Sequence, residues 1–144
     1  MIGFQAAGAA PMFYDCIIDN PETVASAIRI GNPASWHQAL AAIVESRGAI
    51  DVVIDENILA AQIWLARHEG IFVEPASAAS IAGLFRWCVS NDAAYSFREI
   101  REGSRIVCTV TGHGLKDPDV IIRRMKESKP VAATVADVRR AIEL

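Results

Sequence analysis

The segment at residues 111–117 carries residue types suited to chemistry, because it places a hydroxyl (Thr111), an imidazole (His113) and an ammonium group (Lys116) close together. Two glycines separate these side chains and permit tight backbone geometry. Histidine titrates near neutral pH and can act as a general base, but a turn histidine without an orienting partner is also typical of a solvated surface. The segment is therefore either part of a binding site or a glycine-bracketed turn capped by Asp117.

Two further polar residues, Glu74 and Ser77, belong to a Glu-Pro-Ala-Ser sequence. Glu74 is either a helix N-cap carboxylate or a site residue, and Ser77 is interpreted as a simple helix cap. Ligands of open parallel sheets bind outside the carboxyl ends of the strands. Residues 5–11, 74–77 and 111–117 each follow a predicted strand, so we expect these three segments to meet at that edge.

The composition excludes several classes of protein. The 144 residues are 52% hydrophobic, which is enough for one buried core, and a formal net charge of -3 makes a nucleic-acid partner unfavourable. Charge, glycine or proline interrupts each apolar run before it reaches membrane-spanning length. The first residues lack the basic region of a secretion signal, so we expect a cytoplasmic protein.

The cysteines and histidines do not predict a metal site. Three cysteines lack CxxC spacing and are interpreted as free thiols in a reducing compartment. Three histidines likewise lack partners at metal-ligand spacing. No metal is therefore expected.

Hydrophobic periodicity predicts strands that alternate with helices. A strand is expected in the first five residues, and Ser35 with Gln38 forms a capping box for a helix that ends near Gly48. Asp55 is the expected N-cap of the next helix, and Gly70 is its C-terminal signal. Further strands are predicted at residues 50–54, 71–73 and 106–110, and further helices at residues 77–90 and from residue 117.

This alternation predicts an α/β fold with a parallel sheet flanked by helices. Residues 1–144 are expected to form a single domain. Thr134 and Asp137 form a second capping pattern in the tail, so residues 130–144 are expected to hold a peripheral helix.

Four segments resemble C-terminal segments of threonine synthases and occur in the same order: GFQAAGAAP (residues 3–11), AIRIGNPASW (27–36), EPASAAS (74–80) and TVTGHGLKDPD (109–119). The likeness covers essentially the whole chain. It implies the large-domain fold of fold-type II enzymes that depend on pyridoxal 5′-phosphate (PLP), similar to the tryptophan synthase β subunit. For the complete protein, it implies the lyase reaction that converts O-phospho-L-homoserine and water to L-threonine and phosphate.

The same resemblance implies four cofactor-binding residues. The hydroxyl of Thr111 is expected to hydrogen-bond the pyridine nitrogen of PLP, and the backbone around Ala27 and Ile28 is expected to line the cofactor face. Glu74 is expected near the ring edge. A hydroxyl orients the ring without holding a fully protonated pyridinium, which moderates the electron sink of the cofactor.

The resemblance also shows what the sequence does not contain. The family's cofactor-bearing lysine lies in a Ser-Phe-Lys-Asp-type motif, whereas the lysines here are Lys116, Lys126 and Lys129, each in another context. The family's loop for the PLP phosphate is also missing from these residues. No catalytic residue is therefore assigned, Lys116 is interpreted as structural, and the 144 residues alone are predicted to be inactive.

Two kinds of partner follow from this prediction. The chain is expected to associate with the missing N-terminal half or with another copy of itself as a homo-oligomer, through the sheet edge and the cofactor face. The alternative is a non-catalytic binding or oligomerisation module derived from a fold-type II enzyme. A relative of threonine dehydratase is a third interpretation, although its motifs match less closely.

Overall fold

The computed structural model describes residues 1–89, 100, 102–124 and 130–142. Its sheet pairs β1 (Ile2–Ala6) with β2 (Ala49–Val53) in parallel. Ile2 lies opposite Ala49, and Ala6 lies opposite Val53. The chain between the strands holds α1 (Pro11–Tyr14), a 3-10 turn (Ser26–Ile28) and α2 (Trp36–Glu45).

Two longer helices follow the sheet. α3 (Asp55–Trp64) continues as a π-helical turn (Leu65–Glu69) and ends at Gly70, whose φ of 67° is left-handed, as the sequence predicts. α4 (Pro75–Val89) packs against α3 and both strands. The core between them is built from small and branched side chains that include Ala6, Val53, Ile58, Ala78 and Ala82.

The remaining elements are short. α5 (Pro118–Ile122) begins with a proline, whose missing N–H costs nothing in the first turn. α6 (Val135–Ala141) is capped by Thr134, whose Oγ1 accepts a hydrogen bond of 3.1 Å from the Asp137 N–H, as the tail pattern predicts. Within the described ranges, no helix is both long and apolar enough to cross a membrane.

The α/β class with a parallel sheet and flanking helices is confirmed, but two predicted strands are wrong. Residues 71–73 and 106–110 form no strand in the described part of the chain, and Val73 makes only an isolated antiparallel bridge to His113. A strand needs a neighbour for its backbone hydrogen bonds, and no described segment supplies a ladder to either run. Val107 is 86% exposed, although its residue type favours strands.

Two predicted caps are also wrong. The Ser35 side chain makes no capping hydrogen bond among the described residues, although α2 begins directly after it. Asp55 is the first residue of α3 rather than its cap, because its carboxylate accepts hydrogen bonds from the Thr23 hydroxyl (2.5 Å) and the Val24 N–H (2.9 Å). The predicted helix end at residue 90, together with Lys126 and Lys129, lies outside the described residues.

Candidate functional site

The start of α4 holds the segment that contains Thr111. Ser77, the third residue of α4, is 3% exposed. Its Oγ accepts hydrogen bonds from the Gly112 N–H (2.6 Å) and the Thr111 N–H (3.1 Å), and it lies 3.3 Å from Thr111 Oγ1. One buried hydroxyl therefore fixes both the backbone at residues 111–112 and the surroundings of the Thr111 side chain.

Glu74 holds the same segment from the residue before α4. Its N–H donates to the Gly112 carbonyl (3.0 Å), and its own carbonyl accepts from the N–H groups of Ser77 and Ala78. Its buried carboxylate Oε1 lies 3.5 Å from Lys116 Nζ, which is the structural role expected for that lysine. A Cβ added at Gly112 would overlap this carboxylate, so the close approach requires glycine.

His113 takes part in the turn. Its Nδ1 accepts a hydrogen bond of 3.2 Å from the Leu115 N–H, and its ring meets Phe72 edge-on with centroids 5.5 Å apart. With Nδ1 engaged as the cap of a 3-10 turn (Gly114–Lys116), the imidazole stabilises this turn. This geometry favours the turn interpretation over a general base.

Ala27 and Ile28 lie in the 3-10 turn that packs against α4. Ile28 is partly buried against the core, whereas Ala27 is exposed. The Ser26 hydroxyl donates to Asp117 Oδ2 (2.6 Å), which ties this turn to the segment after Thr111. Asp117 therefore serves as an acceptor for Ser26 and makes no side-chain cap of α5 among the described residues.

The loops after both strands contribute to the same edge. Gln5 Oε1 accepts from the N–H groups of Met12 and Phe13, both at 3.1 Å, and the Ala7 N–H donates to the Val53 carbonyl (2.8 Å). The loop after β1 is thus fixed beside the carboxyl end of β2. Of the three segments expected to meet at this edge, residues 5–11 follow β1 as predicted. Residues 74–77 and 111–117 follow runs that form no strand in the described part of the chain, and they are joined to each other through Ser77 and Glu74.

Sequence reasoning missed two residues that build the site, Ser77 and Asp55. The sequence predicts both as helix caps. Pro75 carries the signal that separates Ser77 from a cap, because proline favours the first helical position and places Ser77 inside the first turn. No comparable signal in the sequence marks the contact of Asp55 with Thr23, which joins residues 32 positions apart.

The chain belongs to the pyridoxal-phosphate dependent enzyme family, whose model matches residues 1–112. The match ends just after Thr111, so it covers the strands, α3 and α4. It also covers residues 111–112, whose backbone is hydrogen-bonded by Ser77 and Glu74; these hydrogen bonds are called the clamp. The complete enzymes of this family use pyridoxal phosphate.

Within this family the chain is similar to threonine synthases. It is 55% identical to the threonine synthase of Halalkalibacterium halodurans over 119 residues, which cover 83% of this chain and 32% of the relative. It is 50% identical to the threonine synthase of Mycobacterium leprae over 131 residues, which cover 91% of this chain and 34% of that relative. It is 46% identical to the threonine synthase of Methanocaldococcus jannaschii over an alignment that covers 99% of this chain and 36% of that relative. The chain spans about a third of the length of these curated relatives.

Proposed function

We propose that this chain supplies the part of a threonine synthase that orients PLP, for the lyase reaction of O-phospho-L-homoserine and water in threonine biosynthesis. The observation that carries the proposal is the exposed Thr111 side chain on a segment that Ser77 and Glu74 hold at the start of α4. The exposed surface beside Thr111 is called the rim. The relatives are named threonine synthases, and the substrate and the reaction are those that the family resemblance implies.

The residues present fit a pyridine ring at this rim. Thr111 Oγ1 has Ser77 as its one hydrogen-bond partner among the described residues, so the hydroxyl retains capacity for a ligand. The 3-10 turn with Ala27 and Ile28 is tied to the following segment through Ser26 and Asp117, and it offers a small, exposed residue beside the rim. These features support a cofactor face at Ala27 and Ile28 and a ring-nitrogen contact at Thr111.

When bound, PLP supplies an electron sink for the amino-acid substrate. In this proposal, Thr111 orients the ring through its nitrogen, and Ala27 with Ile28 lines one face. Glu74 acts through the segment: its carboxylate holds Lys116, and its backbone holds Gly112, so Thr111 stays in place. A neutral hydroxyl contact leaves the ring nitrogen without the full positive charge that a carboxylate partner would stabilise.

The 144 residues by themselves are proposed to be inactive. Of their three lysines, Lys116 is 65% exposed and paired with Glu74, and none stands in the family's lysine motif. The test is incubation with PLP, reduction with borohydride and mass spectrometry. The expected result is no stoichiometric, site-specific lysine adduct, and such an adduct would contradict the proposal.

The partner is proposed to be a lysine-bearing polypeptide that corresponds to the rest of a threonine synthase. Three side chains of the segment before Thr111 support an interface there, because Ile106, Val107 and Val110 are exposed although they are apolar. The alternative, a non-catalytic module that forms homo-oligomers, would cover the same surface with a second copy.

Free thiols, two of them exposed, support a cytoplasmic location.

Co-expression decides between these partners. The chain is produced with the part of the Mycobacterium leprae threonine synthase outside the matched region, and the complex is isolated and assayed for PLP content and phosphate release. We expect a one-to-one complex that contains PLP and forms L-threonine, and we expect Thr111→Val to weaken PLP retention. A chain that forms only homo-oligomers and never joins the complementary part would support the module instead.

A further inference from the structure

We propose that Ser77 is a positioning residue that fixes the direction of the Thr111 hydroxyl proton, so that Thr111 donates to the ring nitrogen and the nitrogen accepts. This inference rests on the proposed function and deepens it. The inference concerns the hydrogen bonds among four atoms: Ser77 Oγ, Thr111 N, Thr111 Oγ1 and Gly112 N.

The inference follows from an inventory of lone pairs. A serine hydroxyl accepts two hydrogen bonds and donates one. Both acceptor positions of Ser77 Oγ are filled by N–H donors, from Gly112 at 2.6 Å and Thr111 at 3.1 Å. Thr111 therefore has no free lone pair on Ser77 to which it can donate. The 3.3 Å contact between the two hydroxyls is consequently a donation from Ser77 to Thr111 Oγ1.

The Thr111 proton then has no acceptor among the described residues. Since Thr111 is exposed, its O–H points out of the clamp toward whatever lies at the rim. Accepting one bond while donating another also polarises the hydroxyl, which strengthens the outward donation. A ring nitrogen placed there is thus favoured as an unprotonated acceptor.

The clamp is rigid enough to impose this direction. Ser77 is buried in the first turn of α4, and its N–H is held by the Glu74 carbonyl at 3.1 Å. The backbone of Gly112 is held by two hydrogen bonds, because its carbonyl accepts from the Glu74 N–H at 3.0 Å and its N–H donates to Ser77 Oγ at 2.6 Å. Ser77 therefore acts on the ligand through Thr111 rather than by direct contact.

The experiment compares Ser77→Ala with Ser80→Ala as a matched control. Ser80 lies one turn along α4, and its hydroxyl contacts the carbonyls of Ser77 and Thr109 without contacting Thr111. The first measurement is amide hydrogen exchange of Thr111 and Gly112 in the 144-residue chain. We expect about three- to tenfold faster exchange in Ser77→Ala, from the loss of roughly one hydrogen bond per amide, and little change in Ser80→Ala.

The second measurement is the nitrogen-15 resonance of ring-labelled PLP in the complex with the complementary threonine synthase part. We expect an unprotonated, hydrogen-bonded nitrogen in the parent complex and in Ser80→Ala. In Ser77→Ala the resonance is expected to shift, and cofactor retention is expected to fall about three- to tenfold. In the double variant with Thr111→Val, the two losses are expected to be less than additive, because both act through one hydroxyl.

The outcomes separate the two proposals. Faster exchange together with a shifted nitrogen resonance supports the role of Ser77. Unchanged exchange, a protonated ring nitrogen in the parent complex, or faster exchange with an unchanged resonance overturns it. If Thr111→Val alone leaves PLP retention and the resonance unchanged, the contact assigned to Thr111 in the proposed function fails, and the role of Ser77 toward the ring nitrogen fails with it.

Discussion

At the scale of single residues, the candidate site contains two side chains that hold backbone, in addition to the Thr111 side chain that we propose contacts the ligand. Ser77 and Glu74 are both buried, and each binds the backbone of Gly112. The Thr111 side chain is exposed and could be found from its place beside two glycines. The supporting role of Ser77 and Glu74 cannot be found in the same way, because the sequence predicts a simple cap for Ser77 and either a cap or a site residue for Glu74.

Gly112→Ala is expected to destabilise the chain, because the new Cβ would overlap the buried Glu74 carboxylate. The expected loss in the free energy of unfolding is about 1–3 kcal/mol, as for overpacked sites. Gly3→Ala is the control, since a Cβ at residue 3 would meet Ile50 Cγ1 at an ordinary 3.8 Å. Urea unfolding checks the difference, and equal midpoints for the two variants would show that residue 112 tolerates a side chain.

Cys108 is expected to react more slowly with alkylating reagents than the exposed Cys16. Partial burial raises the pKa of the Cys108 thiol. A raised pKa lowers the thiolate fraction at pH 7–8, and the thiolate is the reactive form. The measurement is timed alkylation followed by peptide mass spectrometry, with the rate ratio expected to shrink as pH rises. Equal rates at pH 7 would contradict this assignment.

At the scale of elements, the sequence predicts the helices better than the strands. Helix hydrogen bonds close within one turn, so α2, α3 and α4 can be inferred from their own residues, with ends displaced by a few positions. A strand depends on neighbours that are remote in sequence. Residues 106–110 have the composition of a strand, but their described surroundings provide no ladder, so the local pattern cannot decide their conformation.

Asp55→Ala is expected to loosen the loop that carries Ala27 and Ile28. The Asp55 carboxylate accepts from the Thr23 hydroxyl and the Val24 N–H, and it also lies at the favourable end of the α3 dipole. Hydrogen bonds to a charged group contribute about 1.5–3 kcal/mol. We therefore expect a loss of this order in the free energy of unfolding.

Glu56→Ala is the matched control, because Glu56 is an exposed acidic residue in the same first turn. It retains the contacts of Asp55 and is expected to cost less than about 0.5 kcal/mol. Thermal unfolding compares the two variants. If both lose the same stability, the effect belongs to the helix dipole, and the anchoring of residues 23–24 is unimportant.

At the scale of the whole molecule, the candidate site lies beside α4, which packs on the two-stranded sheet. The clamp at residues 111–112 and the 3-10 turn Ser26–Ile28 lie beside the rim. The apolar side chains of Ile106, Val107 and Val110, which precede Thr111, are exposed. Because the chain spans about a third of its relatives, a further polypeptide that covers these side chains is consistent with the proposed function.

Val107→Lys tests which surface that partner occupies. Val107 is 86% exposed in the segment before Thr111, whereas Val44 is 76% exposed on α2, so Val44→Lys is a control of the same chemistry. Burying a lysine without a partner is costly, and a loss of about 1.4 kcal/mol or more weakens binding tenfold or more. Titration of the complementary threonine synthase part with each variant measures this change. We expect weakened association for Val107→Lys and parent-like association for Val44→Lys, while parent-like binding by both would place the interface elsewhere on the chain.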